Sequence, residues 1–253
     1  MSSIKYYQEL TSAIRFLTIL PIGHVNTGMS VAMVRFFPIV GLLIGGILAI
    51  VHVISSQLWE TSVVALVDVI TLALITGALH IDGLADTADG LLGHLSKEKA
   101  MAVMKDSRIG AMALIAVISF LSLKWAGLYS IGQHPSIYHR LCAMIIIPAY
   151  ARTSVFAAMQ WFSYGTGKRG IGYQLFESKL THYDYALFVI PVILSLTLGW
   201  MGIALNVVFC ITVTGVIFFY QKRLGVITGD MMGAMIECME SILFLAVGSG
   251  GFH

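Results

Sequence analysis

Charge is scarce in this chain. Of 253 residues only 11% are Asp, Glu, Lys or Arg while 58% are hydrophobic, and a soluble domain carries roughly a quarter of its residues as charges. That balance excludes a water-soluble globular protein and implies a polytopic one whose main partner is the lipid bilayer. The formal net charge of +2 is small and its basic residues are scattered, which excludes nucleic acid as a partner. Cysteine is sparse too: Cys142, Cys210 and Cys238 lie far apart in apolar stretches with no CxxC and no histidine spacing suited to zinc, so they read as small core residues. A cleavable leader is not expected, because Arg15 interrupts the only apolar run before Pro21 and no small-residue cleavage pattern follows. With no soluble domain, low-complexity tract or repeat in view, residues 1–253 read as one integral membrane domain, an all-α transmembrane bundle. The composition leaves room for a homo-oligomer.

What is present is a set of apolar segments near 37 to 57, 62 to 80, 109 to 131, 141 to 162, 185 to 200, 202 to 220 and 231 to 248. Crossing the hydrocarbon takes roughly 20 residues, so about seven spans are expected, with six as the fallback. Cytoplasmic loops hold the excess of positive charge. On this topology one side receives twelve of the fifteen Lys and Arg, the other only Arg140, and Lys124 and Arg152 fall inside spans. The N-terminus is therefore expected in the cytoplasm. Leu10, Ile14 and Leu17 recur at helical spacing with Lys5, Gln8, Glu9 and Arg15 off that line, which suits a short interfacial helix or a buried capping helix. Pro148 and Pro191 fall within spans, where kinks are expected.

Four aspartates crowd into twenty-five residues of this greasy chain, in HIDGLADTADG (His80 to Gly90) and MKDSRIG (Met104 to Gly110). On a helix, steps of four and seven from Asp82 put Asp86 and Asp89 on the same stripe. Stacked like charges repel unless a cation intervenes, and no Lys or Arg occurs between His80 and Gly93. Carboxylate oxygens favour Mg²⁺ or Mn²⁺ over zinc or copper, and magnesium with open coordination positions points to phosphate chemistry. Asp82, Asp86, Asp89 and Asp106 are thus the candidate metal ligands. Lys105 and Arg108 flank Asp106 and can meet phosphate oxygens, or simply anchor the loop on the positive side. His80 can accept a proton from an attacking hydroxyl or serve as a hydrogen-bond partner of the acidic cluster. Gly83 and Gly90 allow a close approach of helix or substrate.

Downstream, TGDMMGA (Thr228 to Ala234) opens the last span, with Asp230 near a helix N-terminus either as a cap or beside an anion site. Glu237 and Glu240 follow inside the span, where Arg152 or Lys124 can neutralise them. Asp68 has no assigned role. The loop Ser163 to His182, with Lys168, Arg169 and Tyr173 and with Gly165, Gly167, Gly170 and Gly172, is a candidate lid or an ordinary connector.

HIDGLADTADG, MKDSRIG and TGDMMGA, together with FLTILP (Phe16 to Pro21) and RFFPIVGLLIGG (Arg35 to Gly46), resemble the signatures of the cobalamin synthase family, the adenosylcobinamide-GDP ribazoletransferases. The motifs stand in order over nearly the whole chain. The resemblance implies a Mg²⁺-dependent enzyme of vitamin B12 biosynthesis in the bacterial inner membrane, its active site facing the cytoplasm. In it, adenosylcobinamide-GDP and α-ribazole, or its 5′-phosphate, give cobalamin and GMP. It also implies that Asp82, Asp86, Asp89 and Asp106 hold Mg²⁺, with Lys105, Ser107, Arg108 and Asp230 near substrate; Asp82, Asp86 and His80 are the candidate catalytic residues. Ile19 departs from the pattern, standing where relatives often carry Arg. The CDP-alcohol phosphotransferases, which join lipid headgroups, are the alternative enzyme; their motif DxxDGxxAR is matched only at its start, since Gly93 and His94 replace Ala-Arg. A transporter using intramembrane carboxylates is a different class of reading, and a cation site buried from both sides would mark it.

Overall fold

In hydrocarbon a backbone N–H or C=O has no water to pair with, so a spanning segment must satisfy its own hydrogen bonds, and the apolar runs are accordingly helical. The structure, a computed structural model, describes residues 3–23, 31–165, 171–176 and 182–249. Along it follow α1 (Ser3–Leu17), α2 (Phe37–Ser55), α3 (Thr61–Ile75), α4 (Leu79–Leu91), α5 (Lys97–Val103), α6 (Ala111–Gly132), α7 (Ile137–Trp161), α8 (Ile190–Ser195), α9 (Trp200–Arg223) and α10 (Gly229–Ser249). Among the described residues there is no β-strand, only an isolated bridge between Tyr164 and Ile227. The fold is all-α, as expected.

Among the described residues five helices are long and apolar enough to cross a membrane: Val31–Ser55, α6, α7, α9 and α10. A sixth crossing arises only if α3 and α4 are taken together, and that pair is bent by 88°. The segment expected at 62 to 80 thus stops at Ile75, where Gly77 (φ 59°) and Ala78 (φ 58°) turn the backbone left-handed; for Ala78 this conformation is uncommon and costly. FLTILP secures the break from the side: the Ile19 N–H donates to the Ile75 carbonyl at 2.9 Å, satisfying a group that the end of α3 would otherwise leave unpaired. The expected span at 185 to 200 differs too. Tyr185–Leu198 is an apolar helix too short for a crossing, mixing 3-10 turns with the six-residue α8. Pro191 sits in the first turn of α8, where its missing N–H costs nothing, so it starts a helix rather than kinking a span. Pro148 does lie inside α7.

Small residues let the helices approach closely, as association in lipid requires. Ala116 packs with Ala234, and a Cβ on Gly248 would stand 2.7 Å from the Gly127 carbonyl oxygen, so α6 and α10 run parallel and begin at the same end. Gly41 abuts Ala149 and Gly45 abuts Ile145, which makes α2 and α7 antiparallel. The buried acids of α10 are neutralised as the sequence suggested: Lys124 Nζ bridges Glu237 and Glu240, at 2.9 Å from the latter, and Arg152 pairs with Glu240. Two positive and two negative charges cancel there, which makes their burial tolerable. Asp68 finds His52, whose Nδ1 is 2.7 Å from Oδ2. Two expectations are corrected. Glu9 is buried against Arg35 at 3.6 Å rather than facing away from the apolar side of α1, and Cys210 is exposed, not a core residue, because α9 turns most of its surface outward.

The polar connections gather at the end where α6 and α10 begin. Lys97 Nζ donates to the Leu224 carbonyl at 3.1 Å, and Arg223 donates to that of Gly93. The Gly165 N–H donates to Ile227 O at 2.8 Å, and the Ile227 N–H to Ser163 O at 3.1 Å.

Candidate active site

α4 is two-faced. His80, Gly83, Leu84, Thr87, Ala88, Gly90 and Leu91 are buried, whereas Asp82 is exposed and Asp86 and Asp89 are half-buried. The buried face packs on α10 and α6, and glycine sets how closely: a Cβ on Gly83 would lie 2.6 Å from the Asp230 carbonyl oxygen. That contact brings Asp230, 148 positions downstream of Asp82, to the aspartate stripe. Asp86 feels the negative charges of Asp82, Asp230 and Asp89, and Asp230 that of Asp82. Among the described residues no Lys or Arg forms an ion pair with Asp82, Asp86 or Asp230.

The other two predicted metal ligands have partners already. Asp89 accepts from the Gly110 N–H at 2.6 Å (Oδ2) and the Ala113 N–H at 2.8 Å (Oδ1), supplying the acceptor that the start of α6 needs. Asp106 is held by Arg108 through Nε at 3.0 and 3.1 Å, Nη2 at 2.5 Å and the backbone N–H at 3.1 Å. The Arg108 side chain and backbone N–H bring the Asp106 carboxyl down to about 2. Ser107 and Arg108 are exposed beside it. Thr228 rather than Asp230 caps α10, its Oγ1 accepting from the Met231 N–H at 3.2 Å.

Behind the stripe lies a cavity of about 570 Å³. Phe16, Phe37, Val155, Leu175, Met232 and Ile236 form its apolar wall. Its polar groups are Arg15, His80, Lys105, Tyr164, Thr228 and Asp230. Arg15 and Lys105 are exposed, so the cations sit at the solvent-facing rim. Asp230 belongs both to this wall and to the carboxylate group, which joins the two. His80 is only 3% exposed, and its Nε2 is buried without a partner among the described residues. Sequence reasoning missed Arg15 and Tyr164. The signal for Arg15 was its place immediately before FLTILP, whereas nothing local marks Tyr164, which arrives through the pairing of its loop with Ile227. Of the candidate lid, Gly172 and Leu175 line the cavity and Tyr173 lies 6.4 Å from Tyr164, ring to ring; Lys168, Arg169, Gly167 and Gly170 lie outside the described residues.

Does this donor set suit a hard cation? In charge and atom type it does: Asp82, Asp86 and Asp230 are carboxylates near enough for Asp86 and Asp230 to feel the charge of Asp82, and among the described residues none of the three is in an ion pair with a basic side chain. Among the described residues, however, no three His, Cys, Asp or Glu close to the spacing of a ligand shell, so the fit rests on charge and chemistry. Asp82 is exposed and Glu237 and Glu240 are neutralised by Lys124 and Arg152, so neither group is the unpaired carboxylate site, buried from both sides, that would mark a transporter.

Comparison with known proteins agrees with the motifs. The family profile described as cobalamin-5-phosphate synthase matches residues 9–248. A protein of Roseiflexus sp. is 35% identical over 93% of this chain and 87% of its own, one of Desulforamulus reducens 36% over 94% and 96%, and one of Clostridium novyi 32% over 95% and 96%. All three are named adenosylcobinamide-GDP ribazoletransferase. No solved structure matches.

Proposed function

The chain belongs to the cobalamin-5-phosphate synthase family, a transferase family of cobalamin biosynthesis, and we propose that it joins adenosylcobinamide-GDP to α-ribazole 5′-phosphate, or to α-ribazole, with release of GMP. The ribazole 3′-hydroxyl attacks the cobinamide-side phosphorus of the pyrophosphate, its proton passes to an aspartate of the stripe, and GMP leaves with the bridging oxygen. Asp82, Asp86 and Asp230 would hold Mg²⁺, which when bound supplies positive charge to the pyrophosphate oxygens as the phosphoryl group moves. Asp89 positions the stripe by tying α4 to the start of α6. Arg108 keeps the MKDSRIG loop in shape through Asp106, with Ser107 beside it, while Lys105 at the cavity rim is the cation nearer the substrate. Of the two roles open to His80, its burial supports the hydrogen-bonding one. The polar, lysine- and arginine-rich end that carries the site supports a cytoplasmic-facing location in the cell membrane.

The observation that carries this reading is the meeting at Asp230 of a carboxylate group and a cavity with a cationic rim. The test is to supply purified protein in lipid with adenosylcobinamide-GDP and α-ribazole 5′-phosphate, with and without Mg²⁺, and to follow GMP and the corrinoid product together. Both products appearing only with the metal is the expected result. Silence there, with turnover on a CDP-alcohol donor, would overturn it in favour of a lipid headgroup transferase.

A further inference from the structure

We infer that the cavity behind the aspartate stripe seats the ribazole nucleotide, its base in the apolar wall against His80 and its 5′-phosphate at Arg15 and Lys105, while the corrinoid pyrophosphate stays outside on the open carboxylate face. This rests on the transferase reading above and adds where each substrate goes.

Size divides the two substrates first. A cavity of about 570 Å³ falls within the roughly 300–1,000 Å³ of sites that enclose one small organic molecule. A nucleotide fits that space; a corrin macrocycle with its amide side chains and appended GDP is far larger and must remain on the exposed face that Asp82 offers.

Chemistry then chooses between the nucleotides. Guanine presents donors and acceptors along most of its edge, and each one buried without a partner is costly. The wall of Phe16, Phe37, Val155, Leu175, Met232 and Ile236 cannot satisfy them, and Asp230, the acceptor in the cavity best suited to a guanine edge, is shared with the aspartate group. The base of α-ribazole is a benzimidazole, an apolar bicycle with a single unsubstituted ring nitrogen, which only accepts. Among the buried polar side chains of the wall, the Thr228 hydroxyl already accepts a hydrogen bond as the cap of α10, and His80 has a ring nitrogen, Nε2, with no partner among the described residues. One imidazole N–H donated to that ring nitrogen satisfies both groups at once. Phe16 and Phe37, stacked 5.9 Å apart, give the aromatic surface a flat base prefers.

At the rim the requirement reverses. Arg15 comes from α1 and Lys105 from the loop after α5, and both are exposed, so their charges cost little until an anion arrives. With the base inward and the phosphate at these cations, the ribose lies between them. Asp230, which belongs to both the cavity and the carboxylate group, is the point at which its 3′-hydroxyl meets the other substrate.

The experiment titrates the full chain in lipid nanodiscs with α-ribazole 5′-phosphate, with α-ribazole, with the indolyl analogue that carries C–H in place of the free ring nitrogen, and with GMP, reading binding by benzimidazole fluorescence or competition. The wild type should bind the indolyl compound roughly five- to ten-fold more weakly than the natural nucleotide, and His80→Ala should erase that difference. Arg15→Gln, an exposed change that leaves the bundle untouched, should weaken the 5′-phosphate form about ten-fold without affecting α-ribazole. A preference for benzimidazole that survives His80→Ala, an Arg15→Gln defect equal for both ribazoles, or GMP displacing the nucleotide competitively would each overturn the assignment. GMP release by the wild type is measured separately, so loss of the transferase reading is distinguishable from loss of this one.

Discussion

Asp89 ends one helix and begins another: its two carboxylate oxygens receive the Gly110 and Ala113 N–H groups at 2.6 and 2.8 Å, so the α4 stripe and the start of α6 form one rigid corner. An anion at a helix N-terminus with two charge-assisted hydrogen bonds is worth about 1–2 kcal/mol. Asp89→Ala is expected to lower thermal stability by that amount and to reduce turnover, whereas Asp89→Asn, which keeps one acceptor, should lose less of both. Equal stability of the alanine variant and the wild type in a detergent melting series would refute the bracing role.

Asp82 and Asp86 differ in that, among the described residues, no basic side chain pairs with either. Asp82→Asn and Asp86→Asn, which remove a hard-cation ligand without changing shape, should each abolish transfer while leaving membrane insertion and melting temperature intact. Chelation of divalent ions should reproduce the loss in the wild type, and added Mg²⁺ should reverse it there but not in the variants. Retained GMP release in both variants would remove the metal-site assignment.

Gly83 holds α4 against α10, with room for no Cβ beside the Asp230 carbonyl. Gly83→Ala should push the helices apart at a cost of about 1–3 kcal/mol and cut the rate far more than stability alone explains, because it separates Asp230 from Asp82 and Asp86. A rate matching the wild type in correctly inserted protein would show that this proximity is dispensable.

Arg108 and Asp106 form an exposed pair, 87% and 37% accessible in their side chains, whose structural value lies in shaping the loop rather than in stability. Arg108→Gln and Asp106→Asn should impair the saturation kinetics of the GDP-bearing substrate to a similar degree, and the double variant should be hardly worse than either single one. The carboxyl is brought down to about 2, and a depressed value means that the pairing is present above the ordinary carboxylate range and lost only as pH falls through that low value. Activity lost on mild acidification therefore should not change in the Asp106→Asn variant; a shift of the acid limb in that variant would contradict the pairing.

The sequence by itself determined the helical class, the membrane setting, the Asp82, Asp86, Asp89 periodicity and the family, because each is written in local pattern: apolar length, helical spacing and contiguous motifs. It placed Glu237 and Glu240 inside a span and named Lys124 and Arg152 as their neutralisers, since an intramembrane charge has few alternatives. Local pattern failed where the outcome depended on partners distant in the chain. The second span looked continuous to residue 80, and the left-handed turn at Gly77 and Ala78, braced by Ile19, broke it. Asp89 and Asp106 read like Asp82 in the sequence, and only the fold shows that Asp89 meets the start of α6 and Asp106 the Arg108 fork. Only tertiary structure could bring Asp230 to Gly83 and Arg15 to the rim of a cavity, because a helix's sequence states which face is buried and not which helix buries it.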